Sequence, residues 1–159
     1  MPRLSDNVVR FFQDQGFVIV STLDNRGRPH SACKDLIKIN ENGRVYLLDL
    51  YLRETFSNLK RNKNISLTAV DEHRFKGYCL KGKARVLLVR NLSPEIKSAW
   101  EQRIASRLTQ RVLRNLRGEK GHPRHPESLL PLPQYLIMMQ VEEVVDLTPQ
   151  HLKEEKQDG

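Results

Sequence analysis

The chain has 159 residues, 38% hydrophobic and 29% charged, which suits one domain with a substantial core and excludes a disordered chain. No apolar run approaches the roughly 20 residues needed to cross a bilayer, and the start, Met1 to Asp6, has no apolar signal core, so a cytoplasmic protein is expected. The formal charge of +8 points to an anionic partner, whether nucleic acid, a membrane surface or a phosphorylated ligand, and much of it falls in residues 103–124.

Ser5 or Asp6 can cap a first helix carrying Val8, Val9, Phe11 and Phe12, with Gly16 as its stop. Residues 17–22 switch to β-branched side chains and predict a strand. A turn over 24–29 leads to a second strand at 30–39. Asn42 and Gly43 supply a hairpin into a third strand at 45–50, because Asn-Gly readily takes left-handed dihedrals. A short helix over 53–60 puts Phe56 and Leu59 inward, and strands follow at 65–70 and 77–88. Ser93, Pro94 and Glu95 begin a long helix reaching about Arg117. A Pro/His/Gly loop over 118–133 precedes a sixth strand at 135–146, and residues 151–159 form a polar tail. Short strands joined by hairpins, with few helices, predict a mainly β fold closed into a barrel, since closure removes exposed edges.

The pattern from Gly27 to His30, Asn42 to Tyr46, Leu50 through Asn58 to Asn62, and Gly77 to Ala84 occurs in an order and spacing that resembles a known family. It is similar to the FMN-binding split-barrel superfamily of the pyridoxamine 5′-phosphate oxidases, and especially to its flavoredoxin-like and small FMN-binding members. The resemblance covers roughly residues 8–90, with an echo in 135–147. It implies a six-stranded split β-barrel with an N-terminal helix, a short phosphate-site helix and one long helix. A single domain would span 1–150, with the basic helix and loop of 93–133 inserted before the last strand.

The resemblance also implies a cofactor site for flavin mononucleotide (FMN). Ser31, Ala32, Cys33 and Lys34 match the segment along the flavin ring and ribityl chain. Lys34 is the candidate for stabilising reduced flavin near N1 and O2; the alternative is a solvent-facing strand lysine. Leu48, Asp49 and Leu50 match the stretch bordering the flavin. Arg53 and Thr55 match the phosphate-holding pair at a helix start. Asn58 either reaches the phosphate or closes its own helix turn. Glu54 departs from the family, where a basic residue is common, and a carboxylate there disfavours phosphate unless it points outward.

Cys33 and Cys79 lack ligand or redox spacing and read as reduced thiols. His30 reads as a strand-end histidine. His122 and His125 are joined by no carboxylate or cysteine at ligand spacing, so no metal centre is expected. No residue stands out as a catalytic acid or base. The arginine that holds the substrate phosphate in true pyridoxamine phosphate oxidases has no match, so that activity is not expected. A homodimer with flavin at its interface is implied, and the absence of a dinucleotide fingerprint favours FMN over FAD.

Arg103, Arg107, Arg111 and Arg114 share one face of the long helix, beside Trp100, Ile104, Leu108, Val112 and Leu116. They are solvated, or they serve the dimer mate or an anionic substrate, or they bind nucleic acid. The expected function is that of an FMN-dependent oxidoreductase acting on a small-molecule substrate or electron donor. The alternatives are a flavin, deazaflavin or haem carrier or sensor on the same fold, and a nucleic-acid module built on the basic helix.

Overall fold

A computed structural model describes residues 3–49, 53–119, 121 and 135–154. In chain order the elements are α1 (Asp6–Gln13), β1 (Val18–Leu23), β2 (Pro29–Ile39), β3 (Arg44–Asp49) and α2 (Glu54–Arg61). There follow β4 (Asn64–Asp71), β5 (Lys76–Leu88), a 3-10 turn (Val89–Asn91), α3 (Pro94–Leu116), β6 (Tyr135–Asp146) and α4 (Gln150–Glu154). The six strands close into an antiparallel barrel in the order β1-β2-β3-β6-β5-β4, as the sequence predicts. The end of the chain differs from expectation. Instead of an open tail from His151, residues 150–154 form α4, whose Leu152 amide bonds to the Pro149 carbonyl.

Alternation along β1 sends Val18, Val20 and Thr22 inward and leaves Ile19 outside. Val20, Val45, Leu47, Leu67, Leu80 and Met139 fill the barrel and are fully buried. Two helices stop its ends. Where β1 begins, α1 inserts Phe11 and Phe12, and the Phe11 ring meets Tyr78 edge-on at 5.1 Å. The Ser5 hydroxyl caps α1 by accepting from the Val8 amide, while Leu4 and Val9 join the core at staple spacing. Where β1 ends, α2 buries Thr55, Asn58 and Leu59.

Turn chemistry sets the register. Gly43 has φ +80°, and the Asn42 side chain accepts from the Arg44 amide. In the β1–β2 turn the Asp24 carboxylate accepts from the Arg26 and Arg28 amides, each at 2.8 Å. The Arg28 amide above all holds the Asp24 carboxyl below its ordinary 3.8. A depressed carboxylate of this kind contributes stability above its unfolded pKa and loses it as pH falls through the folded value. A carbon-detected NMR titration should therefore place the Asp24 midpoint below 3.8, with the Arg28 amide resonance moving in step. A midpoint at or above that value would show that the turn does not depend on this carboxylate.

Two bulges shape the barrel. In β2 the register with β3 slips between Leu36 and Lys38, and the extra residue, Ile37, turns outward. There it meets Leu48, Ile96 and Leu136 in a second, smaller core beneath α3, flanked by Tyr46 and Trp100. The other bulge lies between Lys81 and Gly82, where β5 crosses β6.

Candidate cofactor site

The predicted site residues of β2 and β3 fall on three surfaces rather than one. Ser31 and Cys33 are exposed on the outer face of β2, where the Ser31 hydroxyl bonds Ser21 at 2.8 Å and Cys33 is a free thiol. Ala32 and Lys34 lie opposite Val20 and Val18 of β1 and so face the barrel interior. Leu48 is buried in the small core under α3.

Asp49 is buried at the end of β3, with its side chain fully enclosed. The Lys34 ammonium donates to its Oδ1 at 2.9 Å, while Oδ2 is buried with no hydrogen-bond partner among the described residues. Lys34 is thus neither a solvent-facing lysine nor an open cation. In this arrangement its charge is committed to Asp49. Asp49 pairs in register with Tyr135, whose ring lies 5.7 Å from Phe56 of α2, so the ion pair is on the α2 side of the barrel.

Arg53 stands at the N-cap of α2, exposed and making no side-chain cap to the first-turn N–H groups. Glu54 is exposed as well. Thr55 is buried, which leaves Arg53 as the member of the predicted pair with an open side chain. Asn58 is fully buried; its amide donates to Thr22 at 3.0 Å and accepts from Arg61 at 2.7 Å, tying α2 to β1. Leu50 lies outside the described residues, as do His122 and His125. A cleft of about 390 Å³ opens beyond this end of β1, lined by Ser21, Thr22, Asn64, Ser66, Lys81 and Glu142 among others. Among the described residues no group of His, Cys, Asp or Glu is placed to hold a metal, and no helix is long and apolar enough to cross a membrane.

The basic helix divides along its length. Arg103 donates to Asp35 Oδ1 from Nε at 3.3 Å and from Nη2 at 3.2 Å, and Nη2 also reaches the carbonyls of Gln15 at 2.8 Å and Gly16 at 3.3 Å. Arg107 stacks over the Phe17 ring at 4.7 Å. These two hold α3 to the barrel. Arg111 is half-buried and Arg114 exposed. Sequence reasoning passed over Asp35; its one signal was a carboxylate beginning the apolar run of β2.

The family model for pyridoxamine 5′-phosphate oxidase matches residues 4–130. The chain belongs to that family. Solved structures with the same fold include HupZ of Group A Streptococcus, 16% identical, covering 91% of this chain and 95% of that one with a TM-score of 0.61. Another is a Clostridium acetobutylicum protein of the pyridoxine phosphate oxidase family related to general stress protein 26 (15% identical, 92% and 94% covered, TM-score 0.58). A third is HutZ, the haem storage protein of Vibrio cholerae (20% identical, 90% and 94% covered, TM-score 0.53). At these identities the likeness is one of fold. No curated protein matches the chain. The family match extends well past the motif region, across α3 and on to residue 130.

Proposed function

We propose that this protein binds FMN, one per chain, as a homodimer in the cytoplasm, and that it is an FMN-dependent oxidoreductase. The observation that carries the reading is the open amino end of α2 in a chain of this family. Arg53 is exposed there and, as the N-cap residue, makes no side-chain cap to the first-turn N–H groups, and Glu54 is exposed. That combination favours a terminal phosphate dianion. Bound flavin would supply hydride transfer at N5, and the protein's part is to hold, orient and shield it. Ser31 and Cys33, exposed on β2, are the predicted ring-side residues with side chains open to such a ligand.

Calorimetry with FMN, FAD and riboflavin tests the reading. FMN should bind most tightly, and Arg53→Ala should weaken FMN about ten- to a hundredfold while barely changing riboflavin, as for a charge-assisted contact of about 1.5–3 kcal/mol. Equal losses for both ligands, or FAD binding as tight as FMN, would remove the phosphate assignment. A haem reading is favoured by one observation, the shared fold with HutZ. Absorbance separates the two, because haem gives an intense Soret band and oxidised flavin a band in the blue at about 450 nm.

A further inference from the structure

The long basic helix is not the main source of the chain's positive charge. Residues 43–48, 55–70, 73–94 and 135–141 contain ten Lys and Arg and no Asp or Glu, so these stretches alone outweigh the net charge of +8. They build one wall of the barrel, where β3, β6, β5 and the start of β4 lie side by side.

Strand register shows which of these cations share the wall. Lys83 stands between Asn64 of β4 and Gln140 of β6, and Gln140 stands beside Arg44 of β3. In the next row Arg85 neighbours Met138, which neighbours the half-buried Tyr46. Ala84 is buried between Lys83 and Arg85, so both of these point outward. The Ala84 amide donates to the Lys63 carbonyl at 2.8 Å, which brings Lys63 alongside them. Arg44, Lys63, Lys83 and Arg85 are all exposed, and none of them makes an ion pair among the described residues. Lys83 donates to the Asn64 side chain.

Among the described residues, carboxylates reach this wall at its rim. There Glu41 is paired with Arg3, Glu95 with Lys38, and Glu143 with Lys81 at 3.5 Å, while Glu142 is exposed near Lys81. The large exposed hydrophobic side chains of the described residues, such as Phe17, Ile19, Val70, Leu116 and Val144, all lie elsewhere.

We propose that this wall binds single-stranded nucleic acid through its phosphates, a function separate from the flavin site and from the arginines of α3. Lys81, Lys83 and Arg85 project from alternate positions of β5, about 6.7 Å apart, a step comparable with that between successive phosphates of an extended strand. Lys63 and Arg44 widen this line into a strip of positive charge. Asn64, Gln140 and Tyr46, set among the cations, offer amides and a phenol to sugars and bases. A lipid surface would meet the cations but gain no inserted apolar side chain. A protein partner would lack the apolar centre that such interfaces carry. A duplex fits less well, because the wall is smooth sheet and projects no helix or ribbon into a groove.

Fluorescence anisotropy on the full chain, with labelled oligo-dT and oligo-U of about twenty nucleotides, tests this. Both should bind at low salt, with log affinity falling against log salt at a slope of about −3, as for four neutralised phosphates of a single strand. Lys83→Gln with Arg85→Gln should flatten the slope by about 1.4 and weaken binding at low salt at least about tenfold. Arg44→Gln with Lys63→Gln should do the same. A helix variant, Arg114→Gln with Arg117→Gln, should bind like the wild type. All six positions are exposed, so circular dichroism should show native content in every variant. FMN titration of the wild type and the wall variants should agree, and a wild type that binds oligonucleotide without FMN would end the flavin reading alone. Binding lost in the helix variant and kept in both wall variants would move the site to α3 and overturn the proposal. So would a duplex of equal length binding as tightly as the single strands, or no binding of either oligonucleotide at low salt. Capture by phosphatidylserine vesicles without a response to either oligonucleotide would make a lipid surface the occupant and overturn it too.

Discussion

Lys34→Met should destabilise the protein by about 3 kcal/mol, because it leaves the Asp49 carboxylate buried without its cation. The side chain of Asp49 is fully enclosed, and among the described residues no donor reaches its second oxygen to take over. Replacing the pair together, Lys34→Met with Asp49→Leu, should recover most of the loss, since a buried ion pair and an apolar pair of similar volume are often close in stability. Urea unfolding with an unchanged slope is the measurement. A single variant within about 0.5 kcal/mol of the parent, combined with a shifted flavin potential, would mean that Lys34 serves the cofactor and not Asp49.

Gly82→Ala should cost about 3 kcal/mol or more. A Cβ at this position would lie far inside van der Waals contact with the carbonyl oxygen of Gln140, 2.9 Å from its carbonyl carbon and 3.1 Å from Val141 Cα. These are backbone atoms of the neighbouring strand at the β5–β6 bulge, so no flexible side chain can move aside. The barrel must open there or the bulge must shift. Thermal unfolding of Gly82→Ala beside Gly118→Ala makes the comparison, because a Cβ at Gly118 meets nothing within 4 Å although its φ is +85°. A smaller loss at position 82 than at 118 would refute the packing argument.

The barrel was legible because its strands carry local signals. Val18 and Val20 alternate with outward residues, Asn42 and Gly43 fix a hairpin, and Ser93 and Pro94 mark a helix start. The site was less legible for a physical reason. A family match assigns positions along the chain, whereas the direction of a side chain depends on strand phase, which one bulge reverses. Leu48 fits a flavin-bordering stretch in sequence, yet Ile37, turned outward by the β2 bulge, meets it together with Ile96 of α3. Lys34 and Asp49 are 15 positions apart, and no local rule announces that they bond. Asn58 reads as a phosphate ligand or as a residue closing its own helix turn, but its amide donates to Thr22, 36 positions away. The arginine face looked uniform because helical spacing says nothing about where the surface beneath the helix stops.

The barrel is sealed unevenly, and this governs the order in which it comes apart. β5 and β6 pair along nearly their whole lengths, whereas β1 and β4 meet only at Ile19 with Thr68, Val20 with Leu67 and Ser21 with Ser66. Breathing of the native molecule therefore begins as a parting of this narrow seam, with the β1–β2–β3 meander swinging away from β4 while β5 and β6 stay zipped. The same seam joins segments far apart in the chain, so during folding it closes after the hairpins on either side have formed. Residues on its flanks, Ile19 outside and Val20 inside, set how long the barrel remains an open, adhesive sheet during synthesis.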